Sequence, residues 1–144
     1  MRTAPLTCLP KIFAKKGWAT VIEWFELCAG APDVVPDGAG LAVRFSNGRR
    51  QRIDVRHGEG VIELRGVVAR RAVAEQIDRV ALVAWEHNRA SSLVGFRVDD
   101  RGRLVGECWV PTPGLTRDEF LFYLRSVAAA CDLLEYQLTG KDRE

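Results

Sequence analysis

The sequence has few of the residues that build metal and redox sites. Its four cysteines stand far apart, at positions 8, 28, 108 and 131, without a CxxC pair, and it contains two histidines, His57 and His87. Zinc sites need cysteine and histidine ligands clustered at short spacings. We therefore expect no metal and no cofactor, and the scattered thiols favour a cytoplasmic location.

Long apolar runs are also missing. No stretch of about 18 apolar residues occurs, so we expect no membrane partner, and residues 1–16 lack the apolar core of a signal peptide. The 144 residues are 47% hydrophobic and 28% charged, the composition of one globular domain. We predict an N-terminal extension over residues 1–17, a single α+β domain over 18–140 and a polar tail over 141–144.

The common catalytic motifs are absent as well. The chain has no G-x-S-x-G, no P-loop, no G-x-G-x-x-G and no Cys–His nucleophile pattern. Asp99 to Gly102 has the look of a calcium loop, but it is too short and lies between predicted strands. We therefore expect no catalytic residues and predict that the protein is not an enzyme.

Charge is unevenly spread along the chain. Residues 41–71 carry eight arginines against three carboxylates, whereas residues 72–144 carry nine basic and twelve acidic groups. Alternation places one set of arginines on the outer face of a predicted three-stranded meander, as candidates for binding an acidic partner: Arg44, Arg50, Arg52, Arg56 and Arg65. A merely solvated face is the alternative interpretation. The predicted face exposes no stacking aromatics, so we do not expect nucleic acid as the main partner.

The spacing of apolar residues predicts the helices and strands in the first half of the chain. Trp18, Val21, Ile22, Phe25 and Cys28 predict a helix over 18–29. Trp24 and Leu27 fall outside its apolar stripe and are candidates for partner binding, unless residues 1–16 cover them.

Residues 31–40 read as a loop. Period-two strands follow over 41–46 and 50–57, joined by the hairpin signal Ser46-Asn47-Gly48. After a second turn at 57–60, a third strand begins at Val61, and Gly66 within it predicts a bulge.

The second half has two more helices around a hairpin. Helical spacing of Val73, Ile77, Val80, Ala81 and Ala84 predicts a helix over 72–88. A hairpin spans 93–110. A capping box of Thr116 and Glu119, a staple of Leu115 and Phe120 and a terminal Gly140 mark the last helix.

Surplus apolar residues in this half predict a homodimer, because one sheet contact does not account for all of them. We expect a two-fold partner to cover both the 72–88 helix and an open edge of the sheet. The interface candidates are Leu82, Val83, Trp85, Val105 and Trp109.

The element order α-β-β-β-α-β-β-α resembles the fold of the type III secretion chaperones. Within that fold, Asn88-Arg89, the hairpin from Phe96 to Leu104, Gly114-Leu115-Thr116 and Asp132 are similar to the YbjN-type family, described as bacterial sensory transduction regulators. The resemblance implies a cytoplasmic homodimer that binds an unidentified protein partner. Secretion chaperones are typically acidic, whereas this chain has a pI of about 8.4. A small-molecule or nucleic-acid binding domain that uses the basic strand face is the alternative.

Overall fold

The computed structural model describes residues 28, 30–38, 40–91 and 93–140, and it has an α+β architecture, as the sequence predicts. The strands of the described part are β1 (Val34–Asp37), β2 (Gly40–Arg44), β3 (Arg50–Gly58), β4 (Val61–Ala69), β5 (Gly95–Val98) and β6 (Leu104–Pro111). The helices are α1 (Arg71–Ala74), α2 (Val80–Ala90) and α3 (Arg117–Thr139). The helix predicted over 18–29 lies outside the described residues, apart from Cys28.

The strands form one antiparallel sheet in the order β1-β2-β3-β4-β6-β5. The prediction of a loop over 31–40 is wrong, because Val34–Asp37 pairs with β2 as an edge strand. Its proline and aspartate hide this role in the sequence, since an edge position tolerates a residue that donates no ladder hydrogen bond. The predicted hairpin is confirmed, with Gly48 at a φ of 86° in its turn.

Helix α3 packs across one face of the sheet, which we call the inner face. Phe120, Leu124 and Val127 on α3 are fully buried against it. The predicted start is confirmed, since Thr116 Oγ1 accepts a hydrogen bond from the Glu119 backbone at 3.2 Å. Gly140 ends the helix with a φ of 66°.

Gly66 has a different role from the one predicted. It pairs in register with Gly106, and the irregularity in the β4–β6 ladder lies between Val67 and Ala69. A Cβ atom would lie 2.9 Å from Cys131 Sγ at Gly66 and 2.6 Å from it at Gly106. The paired glycines therefore let α3 approach the middle of the sheet closely.

The helix predicted over 72–88 is broken into α1 and α2. Residues 75–79 form turns between them, and Arg79 has a φ of 51°, in the left-handed region. No glycine or proline marks this break in the sequence. The helical spacing of apolar residues continues across it and therefore predicts one helix. The break also leaves Ala81 exposed, contrary to the prediction.

Candidate functional site

The outer face of the sheet, opposite α3, carries the predicted arginines. Residues directly opposite in an antiparallel ladder share a face, and the observed pairs include Arg44 with Arg50 and Asp54 with Arg65. Alternation along β3 then places Arg52 and Arg56 on the same side. The structure therefore brings all five candidates onto one face. Four of them are exposed, whereas the Arg65 side chain is only 11% exposed.

Arg65 lies at the centre of a chain of ion pairs on this face. Its Nη2 contacts Glu63 Oε1 and lies 3.2 Å from Glu107 Oε2. Arg97 Nε continues the chain, 2.8 Å from Glu107 Oε1. Because the Arg65 side chain is paired with two carboxylates of its own chain, an acidic partner would not contact it directly.

The exposed arginines also have carboxylates beside them. Arg50 Nη2 lies 2.8 Å from Asp37 Oδ2, and Arg52 Nη2 lies 3.0 Å from Asp54 Oδ1. Asp54 follows Arg52 by two residues on β3, whereas Asp37 comes from β1. An acidic partner would thus meet a mixed surface, less positive than the sequence predicts.

The ion-pair chain holds Glu107 in the charged form. Burial on its own would raise the pKa of Glu107, but the hydrogen bond and charge of Arg97, with the charge of Arg65, outweigh that effect and lower the pKa. Glu107 therefore stays charged around neutral pH.

Helix α2 presents an apolar face to solvent. Leu82 is 40% exposed and Trp85 54% exposed, one helical turn apart. Val83 is half-buried, and Ala84 is the one fully buried residue of α2. The guanidinium carbon of Arg89 lies 5.1 Å from the centroid of the Trp85 ring and covers part of the indole.

The other two interface candidates are placed differently. Trp109 is 59% exposed and lies on the outer face, paired with Glu63 of β4. Val105 is fully buried within one chain, so a second copy cannot contact its side chain. The prediction that Val105 belongs to an interface is corrected accordingly. Trp24 and Leu27 lie outside the described residues.

The sheet edge expected to be open is closed by α2. The strand over 104–110 lies inside the sheet, between β4 and β5, so β5 is the edge. Asn88 on α2 donates from Nδ2 to the Phe96 carbonyl at 2.8 Å, and its Oδ1 accepts from the Phe96 N–H at 2.6 Å. A partner strand therefore cannot pair there while α2 stays in place.

Helix α3 carries a stripe of exposed apolar residues that we did not predict from the sequence. Phe122, Leu133 and Tyr136 are each more than half exposed, and Ala129 lies among them. Phe122, Ala129 and Tyr136 are spaced by seven residues, and Leu133 follows Ala129 by four. This spacing is the heptad pattern of a helix that packs against another helix. It was readable in the sequence, but the stronger inward stripe of the same helix obscured it.

The described cysteines are buried free thiols, at positions 28, 108 and 131. Burial raises the pKa of Cys131 and that of Cys28 to about 12. Within the described ranges, no group of three or more His, Cys, Asp or Glu side chains is placed to hold a metal ion. The helices of the described part are too short or too polar to cross a membrane.

Comparisons with known proteins identify no relative of this chain, so the surfaces of α2, α3 and the sheet are the main guide to its function. Neither a scan against protein-family models nor a search of curated protein sequences finds a match to this chain. The similarity to the YbjN-type family therefore remains a prediction from the residues that carry it.

Proposed function

We propose that this chain is a non-enzymatic, homodimeric protein-binding module with a chaperone-like or regulatory role. The observation that carries the proposal is the solvent face of α2, where Leu82 and Trp85 are exposed side by side. Exposed large apolar residues that are neighbours on one helix are typical of interaction sites. A tryptophan with arginine beside it, as in Trp85 with Arg89, is a frequent centre of binding energy in interfaces.

The first partner in this proposal is a second copy of the chain, bound through α2. In a two-fold pair, the apolar face of one α2 helix meets the same face of the other, and Arg89 lies beside Trp85 at that contact. The apolar side chains supply the affinity. Because α2 already seals the β5 edge, the contact is helix to helix rather than strand to strand.

The second partner is another protein that presents a helix, bound along the exposed stripe of α3. The stripe runs over 15 residues from Phe122 to Tyr136 and leaves large side chains free at heptad spacing. An amphipathic helix lays its own apolar side chains into such a surface. Arg49 braces the end of the stripe, since its guanidinium carbon lies 5.0 Å from the Tyr136 ring centroid and its Nη2 contacts Asp132 at 2.5 Å.

A cytoplasmic location is part of the same proposal. The buried thiols at 28, 108 and 131 support it, because free cysteines persist in reducing compartments. The resemblance to secretion chaperones and to the YbjN-type family also supports a dimeric binding protein and adds no site residue.

The self-association surface is tested by placing charge on it. We expect the double substitution Leu82→Glu and Trp85→Glu to give a folded monomer, measured by light scattering after gel filtration and by circular dichroism. Leu133→Glu is the matched control, since it makes the same chemical change on the exposed face of α3 and leaves a dimer. A folded double variant that is still a dimer would overturn the use of α2.

A milder variant covers the case in which the double variant does not fold. Arg89→Glu changes an exposed residue and removes the guanidinium that lies over the Trp85 ring. We expect it to weaken dimerisation about fivefold or more, within the usual range for a charge reversal in an interface. An unchanged dimer dissociation constant would contradict the place of Trp85 and Arg89 in the interface.

The α3 surface is tested by recovery of partners from the native host. We expect the unmodified chain to recover a protein that the Phe122→Glu, Leu133→Glu variant does not, while that variant remains a dimer. Recovery of the same proteins by both would show that the stripe is not the docking surface.

A further inference from the structure

A pocket opens on the outer face where β3 and β4 separate. Their ladder runs from Gly58 with Val61 to Asp54 with Arg65. Beyond it β3 pairs with β2 and β4 pairs with β6, but β3 and β4 do not pair with each other. Gln51 Nε2 reaches across the gap to the Val67 carbonyl at 3.3 Å and also donates to the Arg52 carbonyl at 3.2 Å. Gln51 therefore bridges the two strands where their backbones do not pair.

The pocket has a volume of about 270 Å³ and draws on three parts of the chain: β3, the end of β4 with the residue after it, and the β5–β6 turn. Its lining residues are Gln51, Arg52, Asp54, Val67, Arg70 and Arg103. Three arginines thus face one carboxylate. The volume suits a small ion or metabolite and is below that of most drug-sized ligand sites.

Two of the arginines are held in place by groups behind them. Arg52 Nε donates to the Asp37 carbonyl at 3.2 Å, while its Nη2 contacts Asp54. Arg103 contacts Asp99 Oδ2 at 2.8 Å through both Nε and Nη2. Fixing a guanidinium before the ligand arrives lowers the entropy cost of binding.

Asp99 is itself fixed as an anion. Burial alone would raise its pKa, but hydrogen bonds from the Arg103 and Arg101 backbones and from the Arg103 side chain outweigh that effect and lower the pKa. Its other oxygen, Oδ1, accepts both backbone hydrogen bonds, at 3.0 and 2.8 Å. The β5–β6 turn therefore presents Arg103 from a rigid support.

We propose that this pocket binds a small, multiply charged oxyanion, of the phosphoryl or polycarboxylate class. Guanidinium groups on different elements match the oxygens of such anions through charge-assisted hydrogen bonds. Asp54 pairs with Arg52 and Gln51 Nε2 donates to two backbone carbonyls, so the arginines are the groups that contact the anion. The site is separate from the α2 and α3 surfaces, so it is a ligand site in addition to the proposed protein-binding role.

The test is a titration of the unmodified full chain with pyrophosphate, inorganic phosphate and citrate at constant ionic strength, followed by amide NMR. We expect saturable shifts at Arg52, Val67 and Arg103. Tighter binding of pyrophosphate would identify a phosphoryl ligand, and tighter binding of citrate a polycarboxylate. Absence of saturation by millimolar concentrations of all three would overturn the proposal.

Variants separate a site from general attraction to a basic surface. We expect Arg70→Gln and Arg52→Gln each to weaken the best anion about tenfold or more, the usual worth of a charged hydrogen bond. Arg44→Gln, on the same face but outside the pocket, is the matched control and leaves binding within about twofold. Equal losses in all three would contradict a defined site.

Binding and dimerisation are kept distinguishable by a further titration of the Leu82→Glu, Trp85→Glu variant. We expect that variant to bind the anion as the unmodified chain does. The pocket proposal therefore stands or falls independently of the α2 interface.

Discussion

The side-chain amide of Asn88 takes the place of a neighbouring strand for Phe96. It satisfies the Phe96 N–H at 2.6 Å and the Phe96 carbonyl at 2.8 Å, and so closes one edge of the sheet. At the other edge, β1 is four residues long and contains Pro36, which has no N–H to offer. Because both edges are closed to a further strand, we expect partners to bind to helix faces and to the outer face rather than by strand addition.

We expect Asn88→Ala to destabilise the fold by about 1–3 kcal/mol, because it leaves two backbone groups of an edge strand without their partners. Urea unfolding measures the loss, and hydrogen exchange at the Phe96 amide reports the local opening. Glu86→Ala, which changes another exposed residue of the same helix, is the control and has a small effect. Unchanged protection of the Phe96 amide in Asn88→Ala would contradict the edge-closing role.

Gly66→Ala tests the close approach of α3 to the sheet. A Cβ atom at this position would lie 2.9 Å from Cys131 Sγ, so we expect a loss of about 1–3 kcal/mol from overpacking. Cys131→Ala removes the sulfur and, in the double variant, recovers part of that loss. Strictly additive effects of the two changes would show that the sulfur is not the obstacle.

The elements set by local chemistry were predictable from the sequence. The last helix carries its start and stop signals at Thr116 and Gly140, and the Asn47-Gly48 turn fixes the register of its hairpin. Alternation alone placed Arg44, Arg50 and Arg52 on one face.

What the sequence did not show depends on long-range pairing. β1 exists because β2 lies beside it, and α2 begins after a left-handed Arg79 that no local signal marks. Glu107, which lies beside Arg65, comes from a strand 42 positions further along the chain. The pocket likewise forms only where β3 and β4 separate in space.

The buried cysteines are expected to resist alkylation in the folded protein. Burial raises the pKa of Cys28 and that of Cys131 to about 12, so the reactive thiolate is scarce at pH 8. Iodoacetamide labelling followed by mass spectrometry is expected to modify these positions only after unfolding in urea. Fast native labelling of Cys131 would contradict its placement between α3 and the sheet.

The ion pairs of the outer face make the free energy of unfolding depend on pH in the acid range. The pKa of Glu107 is lowered in the folded state, so its stabilising contribution is present above the unfolded value of about 4.3 and is lost as pH falls through the folded value. We expect Arg97→Gln to raise the pKa of Glu107 and to shift acid unfolding to higher pH, as followed by carboxyl NMR. Arg71→Gln, which removes an exposed pair with Glu75, is the control. A Glu107 titration that does not change in Arg97→Gln would rule out Arg97 as a main cause.

The most direct test of the central claim is the mass of the unmodified protein in solution. One chain has a mass of 16.1 kDa, and an α2-mediated dimer has twice that mass. Sedimentation equilibrium at tens of micromolar is predicted to give the dimer mass, with tryptophan fluorescence changing as the protein is diluted through its dissociation range. A single monomer mass at every concentration would contradict the proposal that this chain works as a homodimer.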